Sequence, residues 1–251
     1  MDWSRSGTPS APITVRGYPG EQAVFDGAGF TDKFLWFTGG AGDIVLRDVR
    51  VIGYRTAKTG VISMSDGAHD ITLQNVEIDG NRGGTTQDHL IYLSAPGVHD
   101  ITIQGCTLAG ISGAAIHVYH EPAATSIRID GNHIADAHWG VMLYSGTSDV
   151  VVTGNRFTDV DVPVRLERAT RVSLLDNTAN GEVGIQVVGP PMQAQYLDEG
   201  NTWPSPVQTA PWARARPATR FGSYSPRRQP LRNRHSPANL LRRPYARWIV
   251  G

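Results

Sequence analysis

Lysine, cysteine and long apolar runs are what this 251-residue chain has least of, and each scarcity excludes something. Lys33 and Lys58 are the only lysines, which leaves little material for chemistry built on an amine base. A single cysteine, Cys106, excludes an intramolecular disulfide. No apolar run approaches the roughly 20 residues of a membrane-spanning helix. Met1 is followed within a dozen residues by PITVRGYPGEQAVFDG, already strand-like, so no signal peptide is expected at the front. Acid is also missing from one end: none of the 23 Asp and Glu lies beyond Glu199. Residues 1–203 therefore set 13 Lys and Arg against 23 acids, a net charge of −10, while 204–251 carry 10 Arg and no acid. The zero charge of the whole chain hides a boundary.

What is abundant is repetition. HDITLQNVEIDG (69–80) returns thirty residues on as HDITIQGCTLAG (99–110), and weaker copies read GDIVLRDVRVIG (42–53), TSIRIDGNHIAD (125–136), SDVVVTGNRFTD (148–159) and TRVSLLDNTANG (170–181). Counted from Asp43, Asp70, Asp100, Ser126, Asp149 and Arg171, the offsets are 27, 30, 26, 23 and 22 residues. Units this short cannot bury an apolar face alone, so they stack.

Each repeat obeys one grammar. A first strand points Ile44/Leu46, Ile71/Leu73, Ile101/Ile103, Ile127/Ile129, Val150/Val152 or Val172/Leu174 inward, the period of two that marks a strand with one buried face. A two-residue corner leads to a second short strand (Val49/Val51, Val76/Ile78, Cys106/Leu108, Asn132/Ile134, Asn155/Phe157, Asn177/Ala179). After a loop of variable length comes a third (Ile62/Met64, Ile91/Leu93, Ile116/Val118, Val141/Leu143, Val164/Leu166, Ile185/Val187). Three strands per 22–30 residues, with no room for a helix, predict an all-β, single-stranded parallel β-helix. A leucine-rich repeat would instead show LxxLxL spacing and one strand per unit. Residues 1–41 read as a lead-in coil and partial cap, 42–203 as the repeats, and 204–251 as a basic tail.

Asn132, Asn155 and Asn177 share one corner column, where stacked asparagines can bond the backbone of the next coil. Cys106 holds the same column and is expected to act as a small buried apolar residue. The tail, with eight of the 16 prolines and no period, is expected to be disordered. Its charge suits an arm for an anionic surface or nucleic acid, or docking on the acidic body. Translation out of an ancestral frame would also explain the abrupt change of composition.

The stretch SGTPSAPITVRGYPGEQAVFDG (6–27), together with the DIT(L/I)Q repeats, resembles the secreted right-handed parallel β-helix proteins related to pectate lyases and other polysaccharide-active enzymes. The resemblance covers about residues 5–200 and implies right-handedness, an extracellular setting and a polysaccharide partner. It also implies a signal peptide and cap ahead of SGT–PITV, so the front is expected to be truncated. Calcium enters by this resemblance alone. Within the family the third-strand sheet carries the substrate groove on its outer face.

Alternation then places Ser63, Tyr92, His117, Met142, Arg165 and Gln186 in one outward row, and Ser65, Ser94, Tyr119, Tyr144, Glu167 and Val188 in the next. The outer face of the second strand (Arg50, Glu77, Thr107, His133, Arg156, Thr178) mixes charges without concentrating any residue type. The third-strand face instead gathers tyrosines with imidazole and guanidinium groups, a combination suited to sugar rings and hydroxyls. His117 is the expected general base, Tyr119 the acid, and Arg165 the partner of a substrate carboxylate. Tyr92, Tyr144 and Glu167 are expected to bind substrate, with Arg82, Asp88 and His89 from the long loop 79–89 and His138 from a flanking one. That set points to a lyase or epimerase acting on a uronate-containing polysaccharide. The alternative is a non-catalytic glycan-binding β-helix or an inactive truncated product. Three observations weigh against a lyase: the acidic body does not attract a polyanion, Glu167 is the one acid in the groove rows, and neither lysine falls on them. No metal cluster is assigned, because His89, His117 and His120 lie on separate segments. Nucleic acid and membrane are not expected partners of the body.

Overall fold

The computed structural model describes residues 1–29, 33–56, 58–80, 84–94, 96–119, 124–144, 146–181, 183–188, 195–205 and 208–209. Arg82, His120, Glu121 and the Arg/Pro-rich stretch from 210 onward lie outside the described residues, and with them the expectation of a disordered tail. Among the described residues every regular element is a strand, and every ladder between named strands is parallel.

First-position strands stack in chain order as one eight-stranded sheet: Ile13–Arg16, Gly42–Arg47, His69–Gln74, His99–Gln104, Thr125–Asp130, Ser148–Thr153, Thr170–Leu175 and Tyr196–Glu199. Its register aligns Ile44, Ile71, Ile101, Ile127, Val150 and Val172 in one inward column, as the period of two predicts. These side chains are at most 2% exposed. On the third-strand side the inward column is Leu35, Ile62, Ile91, Ile116, Val141, Val164 and Ile185. The core is a continuous aliphatic column along the solenoid. Each buried Ile or Val contributes about 1.5–3 kcal/mol relative to exposure.

Corners are set by backbone conformation. From Gly42–Arg47 onward, the turn after each first strand passes through positive φ, at Asp48, Asn75, Gly105, Gly131, Gly154, Asp176 and Gly200. Glycine, and next to it Asn and Asp, adopt that region at least cost. Hence the repeated D/N/G between the first two strands.

Two features depart from the sequence reading. The expected loop between second and third strands vanishes in three coils, where single bent strands run Thr107–Tyr119, His133–Leu143 and Arg156–Glu167. The pairing of the first two shifts register between Ile111 and Ala114, which absorbs the bend. Strand pairing also continues past the last repeat read from the sequence: Tyr196–Glu199 joins the first-strand sheet, and beyond 203 Gln208–Thr209 pairs with Gln186 and Val187.

The asparagine column is a closed hydrogen-bond ladder. Nδ2 of Asn132, Asn155 and Asn177 donates to Oδ1 of the next asparagine at 2.8–2.9 Å, the last acceptor being Asn201. Each Nδ2 also reaches a carbonyl of the preceding coil, and each Oδ1 accepts the backbone N–H at the equivalent corner of that coil. Asn201 was not foreseen, although its offset of 24 residues from Asn177 fits the period. Cys106 heads the column as a buried thiol pushed up to about 11, chiefly by burial, so it is no nucleophile.

Candidate functional site

The third-strand register sets Trp36, Ser63, Tyr92, His117, Met142, Arg165 and Gln186 in one row on the face opposite the core. Tyr119 pairs with Ser94 in the adjacent row. Alternation identified both rows correctly, but not their exposure. Ser63, Ser65, His117 and Met142 are buried, while Tyr92, Tyr119, Tyr144, Arg165 and Glu167 are half-buried. The floor is sealed by rings. Around His117 the centroids of Tyr92, Tyr119 and Tyr144 lie at 5.3, 5.3 and 5.7 Å, and that of His89 at 4.4 Å. Tyr119 and Tyr144 are themselves 5.1 Å apart.

Hydrogen-bond direction fixes what His117 offers. The amide of Ala114 donates to His89 Nδ1 at 3.1 Å, so that nitrogen bears a lone pair and the proton of neutral His89 sits on Nε2. His89 Nε2 lies 2.9 Å from His117 Nδ1, which must therefore accept. The remaining nitrogen of His117, Nε2, is left as an N–H donor, buried and without a hydrogen-bond partner among the described residues. Burial pulls His117 down to about 2, helped by His89 and Arg165, and pulls His89 down to about 4 against the opposing pull of Asp88. Both imidazoles are neutral at ordinary pH. The base role expected for His117 does not fit this direction, because its free nitrogen already holds a proton.

The other expected residues divide. Asp88, 4% exposed, is an anchor rather than a substrate contact: its carboxylate accepts from the amides of Lys58 and Thr85 and ties the loops around 58 and 85 together. His89 is likewise internal, holding His117 as above. Arg165 is committed to Glu167 at 3.2 Å and Gln186 at 3.3 Å, with its guanidinium 5.4 Å from the Trp139 ring. Glu167 also accepts from Tyr144, whose phenol is pushed up by burial first and by that carboxylate second. Tyr92 is pushed up to about 12, mainly by burial. His138 lies on a bent strand rather than a loop, bonded to Asp161 at 2.7 Å and packed on Trp139 at 4.1 Å. It does not join the ring cluster. Trp139 and Trp36 were missed. Trp36 extends the row toward the first coils, with Nε1 donating to Ser65 at 2.8 Å and Lys33 Nζ 4.1 Å above its ring. Trp36 was legible from the register, since it precedes Ser63 by one coil. Trp139 was not, because the bend that turns it toward Arg165 is tertiary.

A calcium site was implied only by resemblance, and the donor set does not fit one. Among the described residues no three His, Cys, Asp or Glu side chains converge. Glu167 is held by Arg165 and Tyr144, and Asp66 by Thr38 and Ser65. A concavity of about 380 Å³ lies elsewhere, at the first-to-second-strand corner between Glu21, Asp48, Asn75 and Glu77, without aromatic side chains. It is remote from the ring cluster, which lies on the third-strand sheet.

A parallel solenoid of three-strand coils with an aromatic face on its third sheet is a right-handed parallel β-helix. The chain belongs to the family described as right handed beta helix region, which matches residues 59–190. No curated protein matches it. Among solved structures it resembles PfbA, a surface adhesin of Streptococcus pneumoniae, with a TM-score of 0.56 and 12% identity over 80% of this chain and 60% of that one. It resembles equally the pectate lyase Bsp165PelA from Bacillus sp. N165 in complex with trigalacturonate (TM-score 0.56, 17% identity, 86% of this chain and 84% of that one). Pectate lyase C from Erwinia chrysanthemi, at pH 9.5 with 30 mM Ca²⁺, gives 0.50 and 12% over 86% and 64%. At these identities what is shared is the fold.

Proposed function

We propose that the protein is an extracellular polysaccharide-binding β-helix that holds a glycan on the third-strand face without cleaving it. The observation that carries this reading is the cage of Tyr92, Tyr119 and Tyr144 over a neutral His117 whose one free nitrogen is a donor. Phenol rings stack on the apolar faces of sugars, and a sugar oxygen accepts the Nε2–H once a ring turns aside. Arg165 is neutralised by Glu167, and residues 1–203 are net −10, so neutral or weakly acidic glycans are favoured over polyuronates. The same charge opposes nucleic acid on the body. The adhesin and pectate lyases that share the fold support an extracellular setting and a polysaccharide partner.

A second reading, a uronate lyase or epimerase, rests on Tyr119 standing two residues along the strand from His117, and on the trigalacturonate held by one structural neighbour. In that reading Tyr119 takes the proton from the carbon beside the carboxylate and returns one to the glycosidic oxygen as that C–O bond breaks, His117 donates to the substrate, and Arg165 leaves Glu167 to meet the carboxylate. No step runs through a metal.

One experiment separates the two. The purified chain is titrated with neutral and acidic polysaccharides while new reducing ends and the ultraviolet absorbance of unsaturated ends are followed. Binding is expected without either product, weakened ~3- to 10-fold by Tyr92→Ala or Tyr144→Ala, the range of one aromatic contact. Unsaturated ends that disappear in Tyr119→Phe would transfer the case to the lyase.

A further inference from the structure

The best-preserved motif of the chain, HDIT in two successive coils, takes no part in the third-strand face. It opens the first-strand sheet, where His69 and His99 are register partners. Their rings stack 5.2 Å apart and within 8° of parallel. Each imidazole is tied to the next residue along: His69 Nδ1 to Asp70 Oδ2 at 3.0 Å, and His99 Nδ1 to Asp100 Oδ2 at 2.8 Å. A carboxylate oxygen only accepts, so both Nδ1 atoms carry a proton and, in the neutral rings, both Nε2 atoms are lone pairs. This is the opposite tautomer to that of His117. Neither Nε2 has a hydrogen-bond partner among the described residues, and the side chains are 32% and 45% exposed. Gly42 occupies the same column one coil earlier, and a Cβ there would collide with the His69 ring. Asp43, Asp70 and Asp100 form the adjacent column and make the surroundings acidic.

We propose that His69 and His99 chelate one divalent transition ion of the zinc, nickel or copper class through their Nε2 atoms, with Asp70 and Asp100 as the outer carboxylates. Imidazole is a preferred ligand for these ions. A metal-bound histidine ordinarily donates its other N–H to a carboxylate, and here both already do. Zinc–nitrogen bonds of about 2.0–2.1 Å require the two Nε2 atoms to lie within roughly 4 Å. Reaching it requires both rings to leave the parallel stack by rotation about their side-chain torsions, with water completing the coordination. The rigid strands hold the pair in register. The acidic column favours a cation over an anion.

The test is calorimetric titration of the full chain, freed of metal by chelator and dialysis, with zinc chloride and with nickel chloride near neutral pH. One ion per chain is expected. His69→Gln and His99→Gln should each abolish saturable binding, and Asp70→Asn or Asp100→Asn should weaken it about 10- to 100-fold. Nitrogen-15 imidazole spectra should show metal moving the Nε2 signals of His69 and His99 while both Nδ1 remain protonated. The residues are exposed, so thermal melts should show the variants folded. Absence of saturable binding to the native chain, or binding that survives the double His69→Gln/His99→Gln variant, would overturn the proposal.

Discussion

His117 and His99 both stand on strands and both face away from the core, yet their neighbours give them opposite characters. His89 makes His117 a donor, and Asp100 makes His99 an acceptor. Alternation placed His117 correctly, but residue type does not say which nitrogen is free, so the base role read from it does not follow from the hydrogen bonds. The buried pair has a consequence for pH. Histidines depressed to about 4 and about 2 stay neutral in the fold, whereas in the unfolded chain they protonate near 6.5. The stability they confer is complete above about pH 6.5 and is lost as pH falls toward 4 and below, where the unfolded state binds more protons. Each group adds about 1.4 kcal/mol per pH unit to that slope once it titrates. Urea denaturation between pH 7 and 4.5 should show it, and His117→Phe should flatten it. His89→Leu leaves the Ala114 amide without its acceptor and should cost about 1–3 kcal/mol. His89→Gln can accept from that amide and donate to His117, and should recover much of the loss.

At the scale of elements, the asparagine ladder was legible because one polar residue recurred in an otherwise apolar column. Asn155→Ala would strand the amide of Asn132 and the carbonyl of Ile129 inside the stack. A loss of about 1–3 kcal/mol is expected in equilibrium unfolding. Asn155→Asp should be worse, since it removes the Nδ2 donors and buries a charge. The bent strands were not legible. Thr107–Tyr119 contains GISG, which reads as a loop, but Ile111 pairs with Ala137 of the next coil and the flanking residues pair on both sides, which carries the strand through it.

For the whole molecule, a solenoid's stability is close to a sum over coils and their interfaces. Ile101 is fully buried with a coil on each side, so Ile101→Ala should cost about 2–5 kcal/mol. Ile13 is half-buried on the first strand of its sheet, with one neighbour, and Ile13→Ala should cost less than half as much. Amide exchange should proceed inward, with Ile13–Arg16 and Tyr196–Glu199 exchanging well before His99–Gln104. Uniform exchange across the coils would contradict this additive picture.

The sequence by itself determined the coil, its three strand columns, the inward and outward assignment of nearly every residue in them, and the aromatic character of one face. All of these follow from a period of two repeated at 22–30 residues, and periodicity is a one-dimensional property. Only the tertiary structure decided what that face can do. The direction of the Ala114–His89–His117 hydrogen bonds, the neutralisation of Arg165 by Glu167 and the anchoring of Asp88 each depend on residues about 2 to 30 positions apart meeting at particular atoms. Spacing brings two side chains to one face, but it does not choose which nitrogen holds the proton.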